Sequence, residues 1–563
     1  RLYRLDEEKQ LRFQLGYIHD RTTRQYGSEE IYYFAQDTVH TATNRHDRLK
    51  TDCLNAEVNY EDNTVSRYTR ENFSFAGTWK SGVSDITGDN AIFQKIKNSQ
   101  WELKNYFNQL YTKEKYTWGI RSYIRYTHCP ASLTVAHRNL PILFADNMLI
   151  ANCIYHRNEL SSSDNISENT YRTVIGQTHE SILAEYEEMN TGNAYTDNAL
   201  YGMRKINGVN YQLTGGFCGE LSSVKQENAY SAHSYSFYTV PRIEWERNDF
   251  LFTAATTVRW SHLPKQSYSR FCVSPFFCFR YKFTPRWKMS LLGSLDESEG
   301  GLKDIYPFRY REDYRTVVKH TGKVPVTVRQ LYTCYLEYKN TIKEFFWTLS
   351  ASYSHNRYNL ITERNYKDGN FYLSSVERNH SSHSYTLNTI GSKGIYDWNL
   401  KTSLELTLAR NEGKQLNEGI VQDYRYDYLC VEPKIVWAPS VFFEAEYKAT
   451  VSCVGGGIGE DTRLDPLWEV AQRLTLSLEF HDTEFCLSGE HFYNDLSKNQ
   501  HLNTWLADVS LIHKAGKWRF AASAINLFNK EQYRYTLYSA VQSYTSWIKL
   551  RPREFMVSVQ YQW

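Results

Sequence analysis

Few residues in this 563-residue chain have the types and spacing of chemistry. Gly455-Gly456-Gly457-Ile458-Gly459 follows an alternating apolar run, as a phosphate-cradling loop would. No helical period follows it, and such a loop needs a helix start behind it, so a phosphate cradle is not expected. His380 and His383 stand three apart in a polar stretch and could offer two imidazoles to a metal; solvated loop histidines are the expected reading. The ten cysteines are Cys53, Cys129, Cys153, Cys218, Cys272, Cys278, Cys334, Cys430, Cys453 and Cys486, and no two are spaced CxxC. Most are expected to be unpaired, packing as small hydrophobes within strands, with one or two loop disulfides as the other option. No GxSxG, HExxH or Walker pattern occurs. No catalytic residue, metal site or cofactor is therefore expected. What remains is a set of charges that alternate with apolar residues: Arg242, Glu244, Glu246, Glu405, Glu444, Glu446, Lys448, Glu479 and Asp508.

Such alternation needs strands to carry it. Tyr, Phe and Trp number 45, 28 and 14, which excludes a disordered chain, since those are poor in aromatics. A net charge of +2 over this length is no nucleic-acid footprint. Mean hydropathy is −0.60 and no run reaches the roughly 18 apolar residues of a membrane helix. Transmembrane β-barrels evade that test, because lipid-facing and lumen-facing residues alternate along each strand. Period-2 alternation is plain in Phe555, Val557, Val559, Tyr561 and Trp563, in 505–524, in 474–489, in 443–451 and in 347–354. Runs of about 10–13 residues exceed the usual 5–6 of globular strands and suit a tilted membrane strand of about 9–11. Trp287, Trp437, Trp505 and Trp518 sit at run ends, as an interfacial aromatic girdle requires.

Ten short turns are expected, among them Asp6–Lys9, Glu246–Asp249, Asn340–Lys343 and His513–Lys517. Polar loops of roughly 15–40 residues alternate with them, such as Asp20 to Leu49, Asp296 to Thr327 and Gly455 to Glu469. Pro241, Pro275 and Pro433 recur at one place in similar hairpins, and bulges are expected there. Residues 128–228 are the least legible: Ile182, Leu183, Tyr186 and Met189 have helical spacing, so a short helix or another hairpin is expected. Ten turns give twenty strands, and the terminal one makes about twenty-one. Even-numbered barrels then predict a partner strand ahead of Arg1. The fold class is thus all-β: a transmembrane antiparallel barrel of about 22 strands with short periplasmic turns and long extracellular loops. Residues 1–563 are expected to be its barrel portion, with plug domain, first strand and signal peptide outside this stretch.

The run Asn526-Leu527-Phe528-Asn529 on a penultimate strand, with Arg551-Pro552-Arg553-Glu554 leading into a terminal strand that ends in an aromatic, resembles TonB-dependent outer-membrane receptors, most closely the Bacteroidota type. The resemblance implies the outer membrane of a Gram-negative cell, a 22-stranded barrel and import of a nutrient or chelate driven by TonB through a plug. It implies further that Phe555, Val557, Val559, Tyr561 and Trp563 form the signal read by the barrel-assembly machinery, that the nine charges above face the lumen, that outer-membrane lipid surrounds the barrel, and that a surface lipoprotein can be a partner. Neither plug nor TonB box is found within 1–563. The alternative is a plugless barrel acting as a surface structural or interaction component; a barrel enzyme comes third.

Overall fold

The structure, a computed structural model, describes all residues except 1, 5–7, 34–37, 89–91, 115, 138–170, 176–180, 226–228, 312–315, 368–369, 460–461, 498–499, 539–541 and 562–563. Cys153 and Trp563 therefore lie outside the described residues. Nearly everything else is one sheet of 28 strands. Four of these, Leu2–Arg4, Tyr171–Ile175, Arg309–Arg311 and Thr316–Lys319, are short side pieces. Trp518–Ile525 with Gln532–Tyr538, and Gln542–Lys549 with Glu554–Tyr561, are two long strands, each interrupted once. Joining the pieces leaves twenty-two long strands among the described residues, each antiparallel to the next in the chain. The last returns to the first: Gln542–Ile548 pairs with Tyr32–Tyr26. That ladder closes the sheet into a barrel, which removes the exposed edge an open sheet of this size would carry.

The hairpin missing from the sequence count is Ser181–Ile206 with Val209–Lys225, joined at Asn207-Gly208. Both turn residues have positive φ, 49° and 83°. Asn-Gly is the strongest short-range signal for such a turn. With it, the ring takes its first long strand, Lys9–Tyr33, from within this chain. Leu2–Arg4 only pairs beside the foot of that strand, at Gln10–Arg12. The helical spacing of Ile182, Leu183, Tyr186 and Met189 is overruled: their backbone is strand, Tyr186 and Met189 paired with Thr134 and Ala131, and Ile182 and Leu183 with Val174 and Thr173. A short amphipathic run cannot outweigh a strand ladder that continues into the rest of the wall.

The polar stretches read as long loops are in large part strand. Asp20 to Leu49 is the upper half of the hairpin Lys9–Tyr33 and Thr38–Asn63, strands of 25 and 26 residues. Such strands are more than twice the length a bilayer needs, so the wall continues beyond it with both faces wet. Residues 300–325 are a true excursion, holding a short 3-10 turn at Leu302–Ile305 and the strands Arg309–Arg311 and Thr316–Lys319. The three prolines do not bulge the sheet. Register is unchanged on either side of Pro433, from Val431↔Val451 to Lys434↔Lys448, and likewise around Pro241, from Thr239↔Val258 to Arg242↔Ala255. Each proline keeps its pairing to one neighbour, Leu404, Leu213 and Thr256 respectively for Pro433, Pro241 and Pro275. The ladder on the other side is interrupted at Pro241 and Pro433, and ends at Phe276 beside Pro275, where the missing N–H would have donated.

One seam interrupts the closed wall. The final strand pairs with the first over Gln542–Ile548, but among the described residues the one ladder of its lower part, Glu554–Tyr561, is with Trp518–Ile525. On the facing side of the first strand, Leu15–Gln25 has no second ladder among the described residues. Val557 and Leu15, on these two edges, are 81% and 78% exposed.

Candidate functional site

Alternation assigns every long strand an outer and an inner face. The outer face carries a band of defined height. At the tight-turn end, Trp287 packs on Tyr338 and Trp347, with ring centroids 4.8 and 5.9 Å apart. Leu349, Ala351, Leu387, Leu406, Leu408, Leu429 and Val431 follow on the same face. Tyr332, Tyr353 and Tyr385 then form a second aromatic row, 6.5 and 5.1 Å apart. From Trp437 to the first charged row at Asp427 is ten residues, about 33 Å along the strand and about 25 Å in height at the usual tilt. That equals the apolar band of an outer-membrane barrel. Trp518 belongs to the lower row beside its turn; Trp505 lies toward the other end, stacked on His491 at 4.2 Å.

The inner face holds the charges. All nine residues singled out from the sequence fall on it, but they do not converge on one site. Arg242 pairs with Glu244 at 2.8 Å, and Glu246 lies two residues further along that strand. A second group spans four strands: Glu405 accepts a hydrogen bond from Asn388 at 2.8 Å, Lys434 pairs with Glu446 at 2.9 Å, and Lys448 with Glu432 at 3.7 Å. Glu444 lies beside this group on the same strand. Glu479 stands apart near its turn, and the Asp508 carboxylate accepts the Asn526 N–H at 2.8 Å.

The best-organised inner cluster involves the hairpin Ser181–Ile206 and Val209–Lys225, which the sequence leaves open between a helix and a hairpin. Tyr238 donates to Asp197 at 2.7 Å, and Arg121 reaches both, at 3.1 Å to the Tyr238 oxygen and 3.2 Å to the Asp197 carboxylate. Below it Tyr201 donates to Asn108 at 2.9 Å. Above it Asn193 donates to Glu220 and Ser222 at 2.6 and 2.7 Å, and Arg125 lies 5.6 Å over the Tyr195 ring. Period-2 alternation in 116–137 and 190–206 could have disclosed these residues once Asn207-Gly208 was read as a turn. Phenols and guanidiniums held by neighbours can stack on rings and exchange hydrogen bonds with a polar solute.

The end opposite the tight turns is covered. Tyr32, at the tip of the first strand, meets Phe371, at the tip of the hairpin Phe345–Lys367 and Asn370–Ile395, with ring centroids 4.2 Å apart. The first and the fourteenth strands of a ring of twenty-two lie on opposite sides, so this contact spans the mouth. Val39 and Tyr366 pack on it, and Arg364 lies 5.9 Å over the Tyr32 ring. The 300–325 excursion adds a second layer. Ile305 and Tyr306 are fully buried among Val224, Tyr230, Ala232, Leu263 and Val324, and Thr316–Lys319 adds to Phe371–Ser374 as a parallel strand.

The residues that carry the family resemblance are structural. Asn526 and Asn529 take positive φ, 52° and 50°. The Asn526 side chain accepts from the Lys530 N–H at 2.9 Å and donates to the carbonyls of Lys530 and Arg551 at 2.9 and 2.7 Å. Asn529 accepts the Arg553 N–H at 2.9 Å, and the Leu527 N–H donates to the Ala507 carbonyl at 2.8 Å. Arg551 lies 3.9 Å from Glu554, and Phe528 is exposed. The signature is thus a clasp where the last two strands break and resume; Pro552 sits in the break. Phe555, Val557, Val559 and Tyr561 share the outer face of the terminal strand.

His380 and His383 lie on a strand, on opposite faces. His380 stacks on Tyr358 at 4.8 Å and His383 on His355 at 4.5 Å, so they do not share a metal. Among the described residues no group of three or more His, Cys, Asp or Glu could hold one. The nine described cysteines are free thiols. Gly455–Gly457 is strand, with a register shift between Val454 and Gly456. A Cβ at Gly456 would lie 2.0 Å from the Arg425 carbonyl oxygen, so close backbone approach explains that glycine.

No family model and no curated protein matches the sequence. Among solved structures, the chain is similar to the outer membrane transporter YddB of Escherichia coli, with TM-score 0.49, 9% identity, and coverage of 98% of this chain and 75% of that one. The copper transporter OprC gives 0.46, 7%, 94% and 80%. A variant of the ferric enterobactin receptor PfeA of Pseudomonas aeruginosa, in complex with enterobactin, gives 0.42, 10%, 94% and 81%. At these scores the likeness decides neither family nor ligand.

Proposed function

We propose that this chain is the barrel of a TonB-dependent outer-membrane receptor of the Bacteroidota type that imports a nutrient or chelate. The ring of twenty-two strands carries the proposal. Eight-stranded barrels fill their interior with side chains and 16–18-stranded ones leave an open channel, whereas twenty-two leave room for a plug. A plug in that lumen would meet the nine inner charges and the Arg121–Asp197–Tyr238 cluster, and TonB would act through it. The outer band of about 25 Å between aromatic rows supports residence in the outer membrane. The covered mouth supports capture followed by release inward rather than free diffusion. The terminal strand offers Phe555, Val557, Val559 and Tyr561 to the assembly machinery as an edge to be extended, and the C-terminal aromatic Trp563 belongs to the same sequence signal.

The test is outer-membrane fractionation, with the mass and N-terminal sequence of the native protein and uptake measured with and without TonB. Outer-membrane residence, a compact domain ahead of Arg1 and TonB-dependent uptake are expected. A mature N-terminus at Arg1 with no TonB dependence would establish the plugless surface component instead.

A further inference from the structure

A groove of about 660 Å³ lies on the outer face where the apolar band ends. Its lower wall is Leu387, Leu408 and Leu429, with Cys453. Its upper wall is Arg410, Arg425 and Arg463. The arrangement follows from register. His355, His383, Glu412, Arg425, Gly457 and Arg463 are consecutive cross-strand partners, one row across five ladders. One step lower, Tyr353, Tyr385, Arg410 and Asp427 form the next row. Gly455 and Gly456 occupy the floor and carry no side chain to fill it. Asp427 holds two of the arginines, Arg410 at 2.6 Å and Arg425 at 3.0 Å. A second hollow continues upward past Lys414, which pairs with Asp423 at 3.3 Å.

We infer that this groove binds the phosphorylated headgroup of a lipid of the surrounding outer leaflet, with an acyl chain lying on Leu387, Leu408 and Leu429. Three observations select that occupant. The site is amphiphilic along the membrane normal, apolar below and cationic above, as an anionic lipid is apolar below its phosphate. Arg410, Arg425 and Arg463 face the carboxylates of Asp427 and Glu412, so the rim keeps an excess of one positive charge, and guanidinium forks match phosphate oxygens. The cations stand at the upper aromatic row formed by Tyr332, Tyr353 and Tyr385, the depth at which headgroups begin. The inference rests on the membrane placement proposed above.

The test uses the full chain in nanodiscs containing bis-phosphorylated lipid A, and in parallel its dephosphorylated form. Retained lipid is counted by native mass spectrometry. Brominated phospholipid quenching of tryptophan reports separately whether the band lies in the bilayer. Wild type is expected to retain the phosphorylated lipid. The R410A/R425A/R463A variant should retain about tenfold less or lower, and the dephosphorylated lipid should bind no better than that. Among the described residues Arg463 is exposed and makes no ion pair with a carboxylate, so R463E serves if the triple variant misfolds, and it should also lose retention. Equal retention by wild type and variants, or no preference for the phosphates, overturns the site. Absence of bromine quenching overturns the membrane placement instead.

Discussion

At the scale of single residues, Asn526 and Gly456 hold the sheet where its regular geometry fails. Asn526 sits at φ 52° and its side chain makes three hydrogen bonds to two breaks in neighbouring strands. Replacing it with Ala removes all three and keeps the left-handed backbone. A loss of about 2–4 kcal/mol follows, read as a lower heat-modification temperature of the folded band in gels. Asp at the same position keeps the acceptor for Lys530 and should lose about half as much. Gly456→Val drives a branched side chain into the Arg425 carbonyl, so the folded yield should collapse whatever the lipid present. The sequence displayed both residues without their reasons. Asn526 was visible as part of a resemblance, whereas its capping role depends on where two strands break. The glycine run looked like a phosphate loop because spacing alone cannot distinguish a turn from a cross-strand contact with residues thirty positions away.

At the scale of elements, the mouth is made by hairpin tips that reach across it. Phe371→Ala deletes the ring that Tyr32 meets at 4.2 Å while leaving the ladder of its own hairpin intact. Single-channel recording in planar bilayers should show higher conductance or more frequent opening than wild type, with a loss of about 3–5 kcal/mol in the packing of the covered mouth. Unaltered conductance would mean that the 300–325 excursion closes the mouth alone. At the other end, Gly208→Ala places a Cβ at φ 83° in the Asn207-Gly208 turn and should cost about 1 kcal/mol, measured by urea unfolding. Strand periodicity, tight turns and aromatic rows were legible because each is local. The upper hairpins were not, since polar residues on both faces leave no alternation to read once a wall stands clear of lipid. Contacts such as Tyr32 with Phe371, 339 positions apart, have no local signature at all.

At the scale of the whole molecule, the inner wall divides its polar groups into separate clusters around the circumference. Arg121, Asp197 and Tyr238 stand on one arc, and Glu405, Glu432, Lys434, Glu446 and Lys448 on another. A domain held in this lumen would touch both. Arg121→Ala and Lys434→Ala together should therefore weaken retention of an added plug more than either alone, measured by co-purification. The seam calls for a different measurement. Extending the Tyr26↔Ile548 register downward places Leu15 opposite Val559, on the outer face of both strands. Paired cysteines at 15 and 559 should cross-link efficiently in a bilayer, where unpaired backbone is costly, and poorly in detergent. Equal cross-linking in both would mean the lower seam is set by the chain and not by its solvent.

Every other ladder in the ring joins neighbours in sequence; this one joins residues such as Gly27 and Ser546, 519 positions apart. Local hairpins can form as soon as their two arms exist, but a contact of that separation must wait for the entire wall. Closure of the seam is therefore the last event of assembly and the natural first event of disassembly. Tyr26–Tyr32 and Gln542–Ile548 act as the latch, and a nascent barrel remains able to accept or expel a neighbour sideways until those seven pairs engage.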